Sequence, residues 1–346
     1  MGKLLCLGWL LSSFFVCAQS QNHLIDFEFE GVTLNGIMTS PKNATPKGLV
    51  LIVHGSGRTK AVAQDWYADV REAISKAGYA TFMYDKQGCG QSGGTFDYNQ
   101  PVQNSAQEVI AAIRALKAQQ IPGSQTIGLW GISRAGWINP LVINQYPDIA
   151  FWISVSGVYA RENFNYLLEQ NLLLDGLSKD SVALLVHEWA EGNRIAHAGG
   201  SFEAARAATQ NLRKNAFFNR FTNGNEITRE EYETFQEGFM KEEFDEATGQ
   251  QIHVPNFKDV LSNSNCPVLA LFGEKDKNVD WQKTKALYKE TMGKHHRLTI
   301  KTFPDANHNV FQCRTGGFFE FQDNDLPYIR PEGFLETLTD WLEALE

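Results

Sequence analysis

Cysteine is scarce here, five in 346 residues, and two of these, Cys6 and Cys17, lie at the very start. Cys89, Cys266 and Cys313 cannot build a disulfide framework. One pair, Cys266 with Cys313 before the others, can close in an oxidising compartment, but free buried thiols are the simpler expectation. No cluster of Lys and Arg breaks a net charge of −9, which argues against nucleic acid, whose phosphates demand a basic face. Repeats and low-complexity tracts are missing too, and 43% hydrophobic with 21% charged residues argues against disorder. The opening apolar run falls short of the roughly 20 residues a membrane-spanning helix needs. Residues 1–20 carry one positive charge, then that run, then small residues. This order reads as a secretory signal cleaved after Ala18 or Ser20, leaving a secreted or periplasmic protein with no stable membrane span. Acylation of Cys17 is the alternative, disfavoured by Val16 where a small residue is usual. Asn43-Ala-Thr45 is a glycosylation sequon that matters only in a eukaryotic host.

What the chain does have is a regular alternation. Leu24–Glu30 and Val32–Met38 alternate apolar and polar residues around a glycine turn, the pattern of an antiparallel hairpin. Continuous apolar runs follow at Gly48–His54, Ala80–Tyr84, Thr126–Trp130, Ala150–Ser154, Pro267–Phe272 and Leu298–Phe303, as suits strands buried on both faces of a parallel sheet. Helix-period segments stand between them, over Val62–Lys76, Val102–Ala118, Ala135–Gln145, Trp281–Met292 and Gly333–Leu345. The fold class is therefore α/β, a doubly wound and mostly parallel sheet formed by residues 21–158 and 255–346.

Residues 159–254 break the alternation with helical text and no buried-strand runs, and read as a helical cap insertion over the strand ends. Its expected helices are Phe164–Leu174, Ser181–His197, Phe202–Phe218 and Thr228–Glu246. The acidic segment from Arg229 to Asp245 reads as a solvated face turning Phe235, Phe239 and Phe244 inward, although its carboxylates also suit a cationic substrate. Phe217, Phe218 and Phe221 are expected in the core of this insertion, with the wall of an apolar pocket as their other use.

Thr126-Ile-Gly-Leu-Trp-Gly-Ile-Ser-Arg-Ala-Gly136 runs a short strand into a glycine-flanked serine and then a helix. Ser133 is thereby a candidate nucleophile on a tight turn, although a plain helix N-cap serine fits the same letters. A serine needs a base to take its proton and an acid to orient that base. Of the eight histidines, His308 stands in a polar loop just after a buried strand, Asp305-Ala-Asn-His-Asn309. His23, His187, His197, His253, His295 and His296 suit surface or packing roles. Asp276 follows the strand Leu271-Phe-Gly at the same sheet edge, with Glu274, Asp280 and Asp305 as competitors and Asp280 suited to capping the next helix. Donors for an oxyanion are the backbone N–H groups of Ser56, in His54-Gly-Ser-Gly57, and of Arg134. His54 reads as structural.

Together these pieces resemble the α/β-hydrolase superfamily from about Leu24 to the C-terminus. The resemblance rests on His54-Gly-Ser-Gly57, Asp85-Lys-Gln-Gly-Cys-Gly-Gln-Ser-Gly93, Gly131-Ile-Ser-Arg-Ala-Gly136, Gly273-Glu-Lys-Asp276 and His308, in the family's order. Two departures stand out: Ala135 where a second glycine is commoner, and Gln87 where arginine is usual. The resemblance implies Ser133 as nucleophile, His308 as general base and acid, Asp276 as its orienter, and neither a metal nor an organic cofactor. It also implies a small-molecule acyl ester or a short peptide as substrate. The first expectation is an exported serine carboxylesterase, the second a capped serine aminopeptidase, and the third a non-enzymatic binder on the same fold.

Overall fold

The computed structural model describes residues 20–161, 163–224, 226–293 and 297–345. Apart from Ser20, the segment expected to be a secretory signal lies outside them, as do His295 and His296. The chain runs β1 (Ser20–Phe29), β2 (Val32–Pro41), β3 (Leu49–Val53), α1 (Ala68–Lys76), β4 (Ala80–Tyr84), α2 (Val102–Ala118), β5 (Ile127–Ile132), α3 (Ala135–Gln145) and β6 (Ile149–Val155). An insertion follows with α4 (Phe164–Leu174), α5 (Lys179–His197), α6 (Phe202–Ala208), α7 (Ala216–Phe221), α8 (Arg229–Phe239), β7 (Glu243–Asp245) and β8 (Gln250–Ile252). The layered part resumes with α9 (Phe257–Ser262), β9 (Val268–Gly273), α10 (Trp281–Met292), β10 (Leu298–Phe303), α11 (Glu320–Asn324) and α12 (Phe334–Glu343).

Eight strands form one sheet in the order β1-β2-β4-β3-β5-β6-β9-β10. The hairpin β1–β2 and the β2–β4 pair are antiparallel, and every other neighbouring pair is parallel. All five residues of β3 are buried because helices cover both faces. Leu49, Leu51 and Val53 pack on one side with α2, α3 and α10, while Val50 and Ile52 pack on the other with α1 and α12. Each fully buried side chain of this kind contributes roughly 1.5–3 kcal/mol. After β3 the chain first adds β4 on one side and then β5 on the other. The carboxyl ends of β3 and β5 thus meet at a topological switch point, where sheets of this type leave a crevice.

Three expected elements differ from the structure. The helix predicted from Val62 begins only at Ala68, because Asp65 and Tyr67 take left-handed φ values of 51° and 56° that no α-helix admits. The helix predicted over Phe202–Phe218 is broken in two. Buried Glu188 accepts hydrogen bonds from the Asn211 and Leu212 N–H groups at 2.9 and 2.8 Å, diverting the backbone from its helical partners, and Asn215 caps the new start through Phe218 N–H. The helix predicted to reach Glu246 stops at Phe239, and residues 243–252 form the two-stranded hairpin β7–β8. Its strands are only half-buried, so no apolar run announced them. All three cysteines beyond the first stretch are free, Cys89 and Cys266 buried and Cys313 partly exposed. Among the described residues no helix is long and apolar enough to cross a membrane.

Candidate active site

Ser133 follows β5 with a φ of 58°, the left-handed bend that a strand-to-helix turn imposes. Its N–H donates to the Val155 carbonyl at 3.0 Å and its own carbonyl accepts from Gly136 N–H at 2.7 Å, which fixes the bend from both sides. The glycines on either side are steric necessities. A Cβ at Gly136 would lie 2.7 Å from Val158 N, and one at Gly131 would lie 2.6 Å from Ala135 Cβ. Arg134 sits at the N-terminus of α3, where backbone N–H groups have no acceptor within the helix.

His308 and Asp276 come from the loops after β10 and β9, which are parallel neighbours. Their side chains meet, His308 Nδ1 lying 2.8 Å from Asp276 Oδ2. Asp276 is 1% exposed, and its other oxygen accepts from Asn278 and Val279 N–H at 2.8 and 2.9 Å. A carboxylate bonded on both oxygens is fixed as an acceptor, so the imidazole carries its proton on Nδ1 and presents Nε2 as a base. The competing acids are otherwise engaged. Asp280 caps α10 through Lys283 N–H, Asp305 pairs with Lys275 at 2.9 Å, and Glu274 is exposed.

The turn at residues 54–57 follows β3. An added Cβ at Gly55 would stand 3.2 Å from Ser133 Cβ, so this turn lies directly against the serine. His54 at the start of this turn is buried, bonds Tyr84 O through Nε2 at 2.9 Å, stacks on Tyr67 and meets Trp66 edge to face. Burial and the Lys86 charge lower it to about 3, which keeps it neutral and leaves it a packing role.

A cavity of about 1300 Å³ opens over these loops, bordered by Ser133, Arg134, Ser56 and His308. The insertion lines it with aromatic side chains, including Phe164, Trp189, Phe218, Phe221 and Phe235, interspersed with polar ones such as Asn163, Asn193 and Thr234. Phe217 instead packs in the insertion's own core with Leu168 and Leu212. Glu230, Glu231 and Glu242 also reach the cavity lining, although Glu231 is committed to a capping box with Thr228. Among the described residues, no group of three or more His, Cys, Asp or Glu is placed to hold a metal ion.

Several side chains at the site were given no part in it from sequence. His253, assigned to packing, does lie against Trp137 at 4.5 Å between ring centroids, but it also borders the cavity, and burial with the Arg134 charge lowers it to about 4. Beneath the Ser133 turn lies a group of buried charges. The Arg134 guanidinium bonds Ser105 Oγ at 3.0 Å and the Gln100 carbonyl. Burial pushes the Glu108 carboxyl up, opposed by hydrogen bonds from Tyr84 and Gln100 and by the charge of Lys86. The only sequence signal was the polar pair Ser105 and Glu108 on the otherwise apolar stripe of α2.

Residues 44–220 match a family model described as serine aminopeptidase, S33, and residues 253–325 match one described as the dienelactone hydrolase family. Among solved structures the chain is similar to the esterase Pf2001 of Pyrococcus furiosus, with a TM-score of 0.52 and 13% identity over 99% of this chain and 94% of that one. It is also similar to proline iminopeptidase of Mycobacterium smegmatis, with a TM-score of 0.52 and 16% identity over 93% and 98% of the two chains. Ferulic acid-bound Est1E from Butyrivibrio proteoclasticus gives a TM-score of 0.50 and 17% identity over 92% and 96%. Identities at this level speak for the fold alone. An uncharacterized 31.7 kDa protein in the traX-finO intergenic region of Escherichia coli is 29% identical over 107 residues, 31% of this chain. The chain spans 35% of that relative's length.

Proposed function

The chain belongs to the α/β-hydrolase superfamily, in the family described as serine aminopeptidase, S33, and on that premise we propose that it is a serine hydrolase cleaving carboxylic esters through an acyl-enzyme. One observation carries this reading: the left-handed Ser133, the Asp276-backed His308 and the glycine turn beside Ser56 all converge on one cavity. In the proposed reaction Ser133 Oγ attacks the ester carbonyl while His308 Nε2 takes its proton. The carbonyl electrons move onto oxygen, where the Ser56 and Arg134 N–H groups receive the charge. Collapse of this intermediate breaks the bond to the alcohol, which leaves with the proton from His308. Water, deprotonated by the same imidazole, then releases the acid and restores Ser133.

The Phe and Trp side chains in the lining favour an uncharged acyl or aromatic group of small or medium size. In this proposal the insertion at 159–254 acts as a cap that excludes water, and the segment over 1–20 directs the protein out of the cytoplasm. A second reading, a capped serine aminopeptidase, draws on Glu230 and Glu242, whose placement in the lining suits a substrate amine. The two separate in one assay, p-nitrophenyl esters of graded acyl length run beside aminoacyl-anilides. Ester turnover exceeding anilide turnover is expected, and the reverse order would move the assignment to the aminopeptidase.

A further inference from the structure

Lys86, in the loop after β4, has no part in the acyl-transfer steps above, yet its half-buried ammonium lies against the turn that supplies one of their donors. Its Nζ donates to the Gly55 carbonyl at 2.6 Å and to the Gly57 carbonyl at 2.9 Å. The Lys86 backbone is itself held, its N–H donating to Thr59 Oγ1 at 2.9 Å. One side chain thus bridges the end of β4 to the turn after β3. In a trans peptide unit the C=O and N–H point in opposite directions, and the described residues contain no cis bond. Holding the Gly55 oxygen toward Lys86 therefore points the Ser56 N–H away from Lys86, along the opposite edge of that peptide unit. The same turn touches Ser133 through Gly55.

We propose that Lys86 is a positioning residue for the oxyanion donor: its ammonium grips the Gly55 and Gly57 carbonyls and keeps the Ser56 N–H aimed beside Ser133. This rests on the reading of Ser133 as nucleophile and Ser56 N–H as donor. A cation on the Gly55 oxygen also polarises that peptide group, so the N–H it aims becomes a stronger donor. The charge matters because charge-assisted hydrogen bonds are about twice as strong as neutral ones.

Four groups face the ammonium: Arg134 from the start of α3, Glu108 from α2, Cys89 from its own loop and His54 from the end of β3. Burial and the Arg134 charge lower it to about 8, and Glu108 and Cys89 oppose that shift. The grip is charged at neutral pH and loses its charge as pH rises through about 8, so under this proposal kcat is expected to fall on an alkaline limb there. His54 does not share that limb, being already neutral well below it.

The test uses the whole protein, with Lys86→Met and Lys86→Arg compared in ester hydrolysis across pH. Removing a whole oxyanion donor costs about 10²–10³ in kcat, so losing its alignment in Lys86→Met is expected to lower kcat about ten- to hundred-fold, with KM within about two-fold. Arginine stays protonated up to about pH 12, so Lys86→Arg should keep more activity than Lys86→Met and move the alkaline limb up by at least about one pH unit. Should the methionine variant fail to fold, the wild-type and arginine profiles still decide. A wild-type kcat in Lys86→Met, a loss confined to KM, or an unmoved limb in Lys86→Arg would overturn the proposal. Labelling by a fluorophosphonate keeps the two levels apart. A wild type that takes no label refutes the nucleophile and the grip with it; a labelled wild type with a Lys86→Met variant labelled and turning over equally fast refutes the grip alone.

Discussion

At the scale of single residues, Asp276 is the acid whose removal the geometry makes most telling. Asparagine in its place keeps the size and one oxygen, so the Asn278 and Val279 N–H bonds survive. Its amide, however, donates toward His308 Nδ1, which shifts the imidazole proton to Nε2 and removes the base that the proposed reaction needs. Steady-state kinetics of Asp276→Asn should show kcat lowered on the order of 10³- to 10⁴-fold, with a nearly unchanged unfolding midpoint. Asp280→Asn and Asp305→Asn should stay near wild type, since their present partners are a helix N-terminus and Lys275. Full activity in Asp276→Asn with its loss in either of the others would reassign the acid. Ser133, His308 and Asp276 stood out in the sequence because each follows a recognisable strand, although β10 before His308 is a sheet edge with only Phe303 buried rather than the doubly buried strand expected. Lys86, Glu108 and the Arg134 side chain did not, because their meaning lies in contacts between β4, α2 and α3 that no local spacing encodes.

At the scale of elements, the parallel strands and most of the helices beside them were legible, since their runs are apolar throughout or carry one clear stripe. Both Val102–Ala118 and Trp281–Met292 have the bounds expected from their periodicity. Legibility failed where a distant side chain sets the backbone. The break between α6 and α7 is held by Glu188 on α5, a tertiary contact that helical periodicity over 202–218 cannot register. Glu188→Ala strands the buried Leu212 N–H, at about 1–3 kcal/mol for a buried group left unbonded, and leaves the Asn211 N–H to water. Hydrogen exchange should therefore rise across residues 202–221 in this variant while β3, β5 and β6 keep wild-type protection. Unchanged exchange there would show that the break is maintained without Glu188.

For the whole molecule, the order of strands makes the site. Because β4 and β5 flank β3 on opposite sides, the turn at residues 54–57 and the Ser133 turn are brought together, and the β9 and β10 loops deliver Asp276 and His308 to the same edge. The insertion then roofs this edge with aromatic side chains from α4, α5, α7 and α8. The proposed function gives such an assembly one central consequence, a serine whose oxygen acts as a nucleophile. Intact-protein mass measurement after exposure to a fluorophosphonate tests it most directly. Attack by Ser133 Oγ forms an O–P bond as fluoride leaves, so the account predicts one covalent adduct in the wild type and none in Ser133→Ala. Absence of an adduct on the folded wild type, or its persistence in Ser133→Ala, would contradict it.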